Sequence, residues 1–436
     1  MIPKLLPNMI SSHSFDLHPT NFRSLFLFVF TLGNYALMYL ANIVLARSLT
    51  VSDFDDYIVA LSVVTMLSTL ATLGLEKYAL RALALFRERQ DWQKFRGFWL
   101  FSLRTISGFS LLLFGLLSIS LETVWAIKHI DNHLAIVLFA GFLPIIAITL
   151  FLVEVISAQG AHVLGIAIYR LFLPSIYLLL ITGAFLGKLQ LTASIAVLCL
   201  GSAWAFTLIL IWHTSKWVIP SKVKQSVPLI LAKKWLSRAL PLVFNSLMLT
   251  VMTSSGVVIL ELLYPSELNV GIYAIAAQTG GFISLIGTST NRYYLPMMVV
   301  LVERRDKEAI QKLINQRTLV IGSLILTLFI IITLFGQHLL NLFGEHFSGG
   351  YLTLVIIAVG ASMSALYADM PYYLQYLGLN RTVLSSTLLA MLTMVTLAFS
   401  LGKSHGSVGV ALAYMMPVVL LFISFRMMVV LHFKRF

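Results

Sequence analysis

Three basic residues of this chain, Lys77, Arg170 and Arg292, lie inside long apolar segments. An ionisable group within a membrane is costly, so it usually faces the protein interior or a water-filled cavity. Because a helix rises about 1.5 Å per residue, all three positions fall at the depth of the inner leaflet. An Arg guanidinium binds phosphate oxygens with two parallel hydrogen bonds, and a Lys ammonium acts as a point charge. These residues therefore predict a site for a lipid phosphate.

Each of these cations also has a simpler interpretation. A long basic side chain near the end of a span can extend to the headgroups, or it can pair with an acid such as Glu76 or Glu154. Arg47 lies at the outer end of the first span. It could meet phosphate where a substrate leaves, although an ordinary interfacial position explains it as well.

Three acidic residues, Glu76, Glu154 and Asp369, also lie inside apolar segments. A carboxylate in a low-dielectric site can bind and release a proton or Na⁺. These residues are therefore candidates for a gate on the cytoplasmic side or for coupling to a proton or sodium gradient, and no other cofactor is expected. The alternative is that Glu154 and Asp369 neutralise Arg170 or Arg381.

Polar side chains follow one face of the first apolar segment. Asn34 and Asn42 are two helical turns apart, and the same segment carries Tyr35 and Tyr39. The seventh segment carries Asn245, Thr250, Thr253, Ser254 and Ser255. Such faces suit the wall of a cavity that contacts sugar hydroxyls. Hydrogen bonding between neighbouring helices would explain them equally well.

These residues must be positioned by membrane-spanning helices. The chain is 59% hydrophobic and only 11% charged, far from the composition of a soluble domain. Backbone groups in a bilayer must pair within each span, and the long apolar runs without alternation favour helices over a barrel. We therefore predict an all-α integral membrane protein. Its net charge of +13 fits basic cytoplasmic loops rather than nucleic-acid binding.

Apolar windows of about 20 residues predict twelve spans. These are Phe22–Ala46, Tyr57–Leu80, Phe98–Leu121, Leu134–Ser157, Val163–Leu186, Leu191–His213, Ala239–Leu263, Gly271–Leu301, Thr318–Phe335, Tyr351–Tyr376, Val383–Leu401 and Ser407–Leu431. Most Lys and Arg residues between spans then fall on one side, which predicts a cytoplasmic location for both termini.

The two halves of the sequence resemble each other. SDFDDYIVA at 52–60 follows the first span, and SELNVGIYA at 266–274 follows the seventh. The pairs Lys77 and Arg292, and Glu154 and Asp369, have the same separation along the chain. We expect two pseudo-symmetric six-helix lobes, 1–214 and 239–436, around a central cavity.

Residues 215–238 form a basic segment between the predicted lobes, with several Lys and Arg residues and no acid. This composition, together with Trp217 and Trp235, favours contact with anionic lipids at the cytoplasmic membrane surface. A plain linker that obeys the positive-inside rule is the alternative.

The segments VLARSLTVSDFDDYIVALSVV at 44–64 and LATLGLEKYALRALA at 70–84 resemble the opening of bacterial Wzx-type polysaccharide flippases, for O-antigen or capsule. YPSELNVGIYAIAAQ at 264–278 and LQYLGLNRT at 374–382 fit the same pattern. This family belongs to the multidrug/oligosaccharidyl-lipid/polysaccharide (MOP) superfamily. One departure is Asp55–Asp56 before Tyr57, where the family often has Gly.

The resemblance implies a V-shaped cavity between the lobes and alternating access. It implies translocation of an undecaprenyl-diphosphate-linked oligosaccharide from the cytoplasmic to the outer leaflet of the bacterial inner membrane. The expected partners are this glycan, membrane lipids, and possible contacts with a polysaccharide polymerase and a chain-length regulator.

Two other functions compete with this one. A multidrug or metabolite exporter of the same superfamily is the alternative, although a site for cationic drugs would need acids to dominate the cavity. A membrane enzyme would need a catalytic constellation, and the sequence has no phosphate-binding loop or metal-ligand spacing. We therefore predict a transporter rather than an enzyme.

Overall fold

The computed structural model describes residues 19–128, 134–264, 268–304 and 307–435, and every regular element in these ranges is helical. In chain order the α-helices are α1 Pro19–Ser48, α2 Val51–Ala71, α3 Leu75–Glu88, α4 Trp92–Lys128, α5 Leu134–Ala140, α6 Leu143–Ala158, α7 His162–Ala167, α8 Leu173–Leu186, α9 Ala193–Val218, α10 Ser221–Gln225, α11 Ala232–Leu263, α12 Asn269–Arg304, α13 Lys307–Asn341, α14 Tyr351–Leu366, α15 Met370–Tyr376 and α16 Asn380–Arg435. A π-helical turn, Ile168–Phe172, joins α7 to α8, and a 3-10 turn, Glu345–Gly350, precedes α14.

Ten helical segments of the described chain are long and apolar enough to cross a membrane. The α5–α6 pair, bent by 43°, raises this number to eleven. The apolar segment of α16, Asn380–His432, has 53 residues. At about 1.5 Å per residue it would be more than twice as long as the apolar thickness of a bilayer. Non-helical dihedral angles at Gly406 divide it into two arms. The protein is thus an all-helical, multi-pass membrane protein with about twelve crossings, as predicted.

The outer surfaces of α4 and α13 show why the chain needs a membrane. Both helices expose large aliphatic side chains, among them Leu116 and Ile119 on α4 and Leu326 and Leu334 on α13. A soluble protein rarely exposes so much contiguous apolar surface, because its contact with water is unfavourable. These faces are lipid-facing.

The second span is broken, although the sequence predicts one continuous helix, Tyr57–Leu80. Leu73 and Gly74 have positive φ angles of 51° and 71°, so α2 ends and α3 begins in a new direction. A Cβ at Gly74 would lie 2.3 Å from the carbonyl oxygen of Ala239 in α11. Glycine is therefore needed both for the left-handed turn and for this close approach.

Two further spans are interrupted near prolines. Pro174 follows the π-helical turn of the fifth span, and Pro371 follows the break between α14 and α15. Proline has no amide proton to donate and its ring clashes with the preceding turn. The irregular turns thus begin where the regular hydrogen-bond ladder cannot continue.

The helices pack in two groups that follow the order of the chain. In the N-terminal half, α6 contacts α3 and α9, and in the C-terminal half, α14 contacts α12 and α16. The halves meet mainly through α2 and α11, and also through contacts of α12 with α1 and α2. Below, the face that carries Leu49–Thr50 is called the predicted outer face, and the face that carries the segment 219–231 is called the predicted inner face.

The segment 219–231 is fixed to the start of α4. Arg96 donates hydrogen bonds to the carbonyl oxygens of Lys224 and Ser226, at 2.7 and 2.6 Å. A Cβ at Gly97 would lie 2.0 Å from the carbonyl oxygen of Leu229, so only glycine allows this approach. Helix α9 ends at Val218 and helix α11 begins at Ala232. The two helices therefore include both ends of the basic segment 215–238.

Candidate functional site

A cavity of about 620 Å³ lies between the two halves. Helices α1 and α2 form one wall, and α11, α12, α14 and α16 form the other. The described lining consists of Asn34, Tyr35, Met38, Asn42, Ile58, Leu61, Ser62, Thr65, Thr253, Ser254, Val257, Tyr273, Ala274, Ala277, Gln278, Gly281, Ser284, Leu285, Ile357, Ala361 and Tyr414.

The described residues of the cavity wall are polar or apolar but uncharged. Amide and hydroxyl groups alternate with aliphatic side chains, and no acidic or basic side chain is among the described lining residues. Among the residues that the sequence suggests for a sugar-binding wall, five line the cavity: Asn34, Tyr35, Asn42, Thr253 and Ser254. The other four are not among the described lining residues: Tyr39, Asn245, Thr250 and Ser255. Contact of the lining residues with a substrate remains a prediction.

At the outer end of this cavity, hydrogen bonds join α1 to α12. The Asn42 amide Nδ2 donates to Oε1 of Gln278 at 2.9 Å, and the hydroxyls of Tyr39 and Thr279 are 3.1 Å apart. Phe343 packs edge-on against Tyr39, with ring centroids 4.9 Å apart. These contacts, called the outer seam below, join the two halves on the side of the cavity toward the predicted outer face.

A chain of tyrosine hydroxyls supports the outer seam from the N-terminal half. Tyr177 donates to the Tyr57 hydroxyl at 2.8 Å, and Tyr57 donates to Oδ1 of Asn42 at 3.3 Å. All three side chains are buried, and their hydrogen bonds fix the orientation of the Asn42 amide. Asn42 is therefore held ready to donate to Gln278.

Arg47 joins the halves at the predicted outer face. Its Nε donates to the carbonyl oxygen of Leu342 at 2.6 Å, and Nη2 lies 3.4 Å from that of Asn341. The last carbonyl groups of a helix lack partners within the helix and carry partial negative charge. Arg47 thus caps α13 from the opposite half. A contact with phosphate on the exit side remains a prediction.

The acidic segment after the first span also binds helix ends. Asp53 accepts a hydrogen bond at 3.0 Å from the backbone amide of Ala193, the first residue of α9. Asp55 is fully buried beside the first turn of α12, where a Cβ at Gly271 would lie 2.7 Å from its Oδ1. Negative charge is favourable at a helix N-terminus. Both carboxylate oxygens of Asp55 are buried and have no hydrogen-bond partner in the described ranges.

The structure places two of the predicted cations, Lys77 and Arg170, apart from the described cavity lining. Lys77 is exposed on α3, and Arg170 lies in the π-helical turn with its guanidinium 5.4 Å from the ring centre of Tyr169. The backbone of Arg292 belongs to α12, but its side chain is outside the described part of the structure. Helical periodicity puts position 292 on the same face as Gly281 and Leu285, farther toward the predicted inner face.

The three predicted acids occupy different surroundings. Glu76 is buried in the first turn of α3, and its Oε2 has no hydrogen-bond partner in the described ranges. Glu154 is partly buried near the end of α6. Asp369 is buried at the start of α15 and pairs with Arg317, with an N–O distance of 2.6 Å. A role of these acids in gating or coupling remains a prediction.

Arg317 is a structural residue that the sequence did not reveal. The predicted ninth span began at Thr318, which left Arg317 in a cytoplasmic loop, but α13 begins at Lys307 and Arg317 is 1% exposed. It donates to the carbonyl oxygen of Leu366 at 2.6 Å and to Oδ1 of Asn291 at 3.1 Å. The prediction failed because hydropathy marks only the apolar part of a helix and carries no information on its partners.

The described chain is a multi-pass membrane protein with a polar cavity between its two halves. A family model described as a polysaccharide biosynthesis protein matches residues 23–302, which is more than half of the chain. The chain therefore belongs to this family of polysaccharide biosynthesis proteins. The resemblance noted in the sequence is confirmed.

Solved structures show that the fold is that of MATE transporters. The inward-facing structure of a multidrug resistance MATE family transporter has a TM-score of 0.77 at 13% identity, over 94% of this chain and 99% of that chain. An outward-facing structure of such a transporter has a TM-score of 0.62, over 95% and 96% at 13% identity. A Pyrococcus furiosus MOP superfamily transporter has a TM-score of 0.57, over 93% and 95% at 12% identity. No curated protein matches the chain by sequence.

Proposed function

We propose that this protein is a flippase that moves an undecaprenyl-diphosphate-linked oligosaccharide from the cytoplasmic to the outer leaflet. The product would serve surface polysaccharide synthesis, such as O-antigen, capsule or exopolysaccharide. Family membership supports a glycan-related substrate. The observation that carries the proposal is the hydroxyl- and amide-lined cavity between the halves, with the outer seam on one side.

Transport would proceed by alternating access of two lobes, 1–214 and 239–436. In the described state the outer seam and the Arg47 cap join the halves at the predicted outer face. The sugar enters the cavity from the cytoplasmic side, and the lipid tail stays in the bilayer. The lobes then rotate relative to each other, the outer seam breaks, and the head group leaves outward.

The diphosphate would bind on the inner side of the cavity. Position 292 extends the cavity face of α12 in that direction, and an Arg guanidinium there suits phosphate oxygens. Arg170 and Lys77 would add positive charge at the same depth, and Arg47 would meet the phosphate on its exit. Glu76, Glu154 and Asp369 would serve as gate or coupling groups for H⁺ or Na⁺.

The orientation in the membrane is part of the same proposal. The basic segment 215–238 would lie at the cytoplasmic surface of the bacterial inner membrane beside anionic lipids, with both chain termini on that side. A polysaccharide polymerase and a chain-length regulator would act on the product at the outer leaflet.

The first experiment follows the lipid-linked glycan in cells that lack the protein. Labelling that distinguishes the two leaflets should show accumulation on the cytoplasmic leaflet and loss of surface polysaccharide. If the lipid-linked glycan has its normal distribution between the leaflets and the cells retain more of a small cationic drug, the protein is an exporter and not a flippase.

A matched pair of variants connects this result to the cavity. Thr65→Trp places a large ring in the cavity, whereas Thr396→Trp makes the same change on an exposed face of α16. The hydroxyls of both threonines bond to the carbonyl four residues earlier, at 2.6 and 3.0 Å. We expect only Thr65→Trp to abolish complementation at normal protein levels. Equal activity of both variants would show that the glycan does not use this cavity.

A further inference from the structure

The described wall of the cavity carries no charge, and this restricts the charge of the glycan that it can bind. All described lining residues are neutral, and the polar ones carry only amide or hydroxyl groups. We propose that this cavity selects uncharged sugar units, so that repeat units with an acidic sugar are poor substrates. The inference rests on the proposed flippase function and specifies the class of glycan.

Several polar groups in the wall have no hydrogen-bond partner among the described residues. No hydrogen bond to another described residue exists for the side chains of Asn34, Tyr35, Ser62 and Ser254, and all four line the cavity. A hydroxyl both donates and accepts, and an amide has separate donor and acceptor atoms. Sugar hydroxyls have the same dual capacity, so they can pair with these groups without any formal charge.

The size of the cavity fits a short part of a glycan. Its volume of about 620 Å³ lies within the range of pockets that bury small ligands. Aliphatic and aromatic surfaces between the polar groups, such as Met38 and Tyr414, suit the apolar C–H faces of sugar rings. The wall therefore has the mixed character that a pyranose ring presents.

Charged groups near the outer seam lie against other parts of the protein. Arg47 donates to the carbonyl oxygen of Leu342, Asp53 accepts from the amide of Ala193, and Asp55 lies against the first turn of α12. None of the three belongs to the described lining. A charged sugar that enters the cavity thus finds no described lining group of opposite sign.

An uncompensated carboxylate is expensive in such a site. Transfer of an ion from water into a poorly solvated environment is unfavourable unless a counter-charge and hydrogen bonds replace its hydration. The diphosphate avoids this problem in the proposed arrangement, because it binds toward position 292, beyond the inner end of the described lining. Only the sugar must be neutral.

The test compares two lipid-linked oligosaccharides with the full chain reconstituted in vesicles. Both carry the polyprenyl diphosphate and the same radiolabelled terminal sugar, but one internal hexose is replaced by the corresponding uronic acid. A membrane-impermeant glycosidase releases the label from molecules that have crossed. We expect the initial rate to be at least about tenfold lower for the acidic oligosaccharide.

A substitution in the wall provides the reciprocal test. Ser254→Lys introduces a cation into the cavity, and Ser237→Lys makes the same change at an exposed position of α11. We expect Ser254→Lys alone to narrow the difference between the two oligosaccharides, because the ammonium group compensates the carboxylate.

The outcomes separate this inference from the proposed function. Equal rates for the two oligosaccharides in the wild-type protein would refute the selection of uncharged sugar units by the cavity, but the flippase function would still hold. Failure to move either oligosaccharide, in vesicles that do transport a small organic cation, would refute the flippase and this inference with it.

Discussion

The buried pair of Arg317 and Asp369 gives the sharpest prediction of stability. Both side chains are 1% exposed, and Nη1 of Arg317 lies 2.6 Å from Oδ1 of Asp369. Removal of one partner leaves the other charge buried without compensation, which costs about 3–5 kcal/mol. We therefore expect Arg317→Met and Asp369→Asn each to lower the free energy of unfolding by about this amount.

The double variant should be less destabilised than the sum of the two single variants. It leaves no buried charge, but the carbonyl oxygen of Leu366 and the amide of Asn291 still lose the hydrogen bonds from Arg317. Each unsatisfied group costs about 1–3 kcal/mol. The two single costs together amount to about 6–10 kcal/mol, and the two unsatisfied groups of the double variant cost about 2–6 kcal/mol. The coupling energy between positions 317 and 369 should therefore be about 4 kcal/mol, above the usual range of about 0.5–3 kcal/mol for residues in contact.

The assay is reversible denaturation of the purified protein in detergent, followed for the four members of the cycle. The pair of Lys94 and Asp91 is the matched control, since it is also an ion pair but its side chains are 36% and 28% exposed. Lys94→Met and Asp91→Asn should each change stability by less than about 1 kcal/mol. A coupling energy below about 0.5 kcal/mol at 317 and 369 would refute the reasoning, because the two charges would then be independently solvated.

Three further predictions concern single positions. Arg47→Ala should speed hydrogen exchange at the outer end of α13, because the hydrogen bonds of the Arg47 cap contribute about 0.5–1.5 kcal/mol. Unchanged exchange would show that Arg47 does not stabilise the closed state. Gly287→Ala should destabilise the protein by about 1–3 kcal/mol, because its Cβ would lie 2.6 Å from the backbone of Ala365, whereas Gly108→Ala, with open space around it, should be neutral or stabilising by thermal denaturation. Asp53→Ala should cost about 0.5–2 kcal/mol through loss of the α9 cap, and an unchanged unfolding midpoint would contradict that role.

The number and order of the spans could be predicted because the bilayer imposes them. A segment in hydrocarbon must satisfy its own backbone groups, so about 20 consecutive apolar residues imply a helix. The ends of the helices could not be predicted in the same way. Helix α13 begins at Lys307, well before the predicted start at Thr318, because a helix continues through the headgroup region where polar residues are tolerated.

The breaks within the spans depend on contacts that are distant in sequence. Gly74 alone does not specify a break, since isolated glycines are tolerated in membrane helices. Its left-handed conformation is explained by the approach of Ala239 from α11. Because the second span was expected to be straight, the exposed position of Lys77 on α3 could not be deduced.

Part of the candidate site could be predicted from helical periodicity. Asn34 and Asn42 share a face of α1, and that face does line the cavity. The partner of Asp369 could not be predicted, because Arg317 lies on α13 and comes close to the start of α15 only in the folded chain. The roles of Asp53 and Asp55 at helix N-termini were missed for the same reason.

The distribution of strong and weak interactions indicates where the molecule opens. The buried ion pair of Arg317 and Asp369 lies within the C-terminal half, so a movement between the halves leaves it intact. The described hydrogen bonds of the outer seam, from Asn42 to Gln278 and between Tyr39 and Thr279, join neutral groups. At about 0.5–1.5 kcal/mol each, they contribute only about 1–3 kcal/mol together.

The combined contribution of the outer-seam hydrogen bonds, about 1–3 kcal/mol, is comparable to the coupling energies by which ligands shift conformational equilibria. The contact of α2 with α11 is different, because it continues inward from the Thr69–Thr250 hydrogen bond to the close approach of Gly74 and Ala239. Separation of α2 from α11 would expose a long packed interface. Movement of α1 away from α12 breaks a few neutral hydrogen bonds and ring contacts, together with the hydrogen bond of Arg47 to the end of α13. The outer side should therefore open first between α1 and α12, with the α2–α11 interface as the pivot.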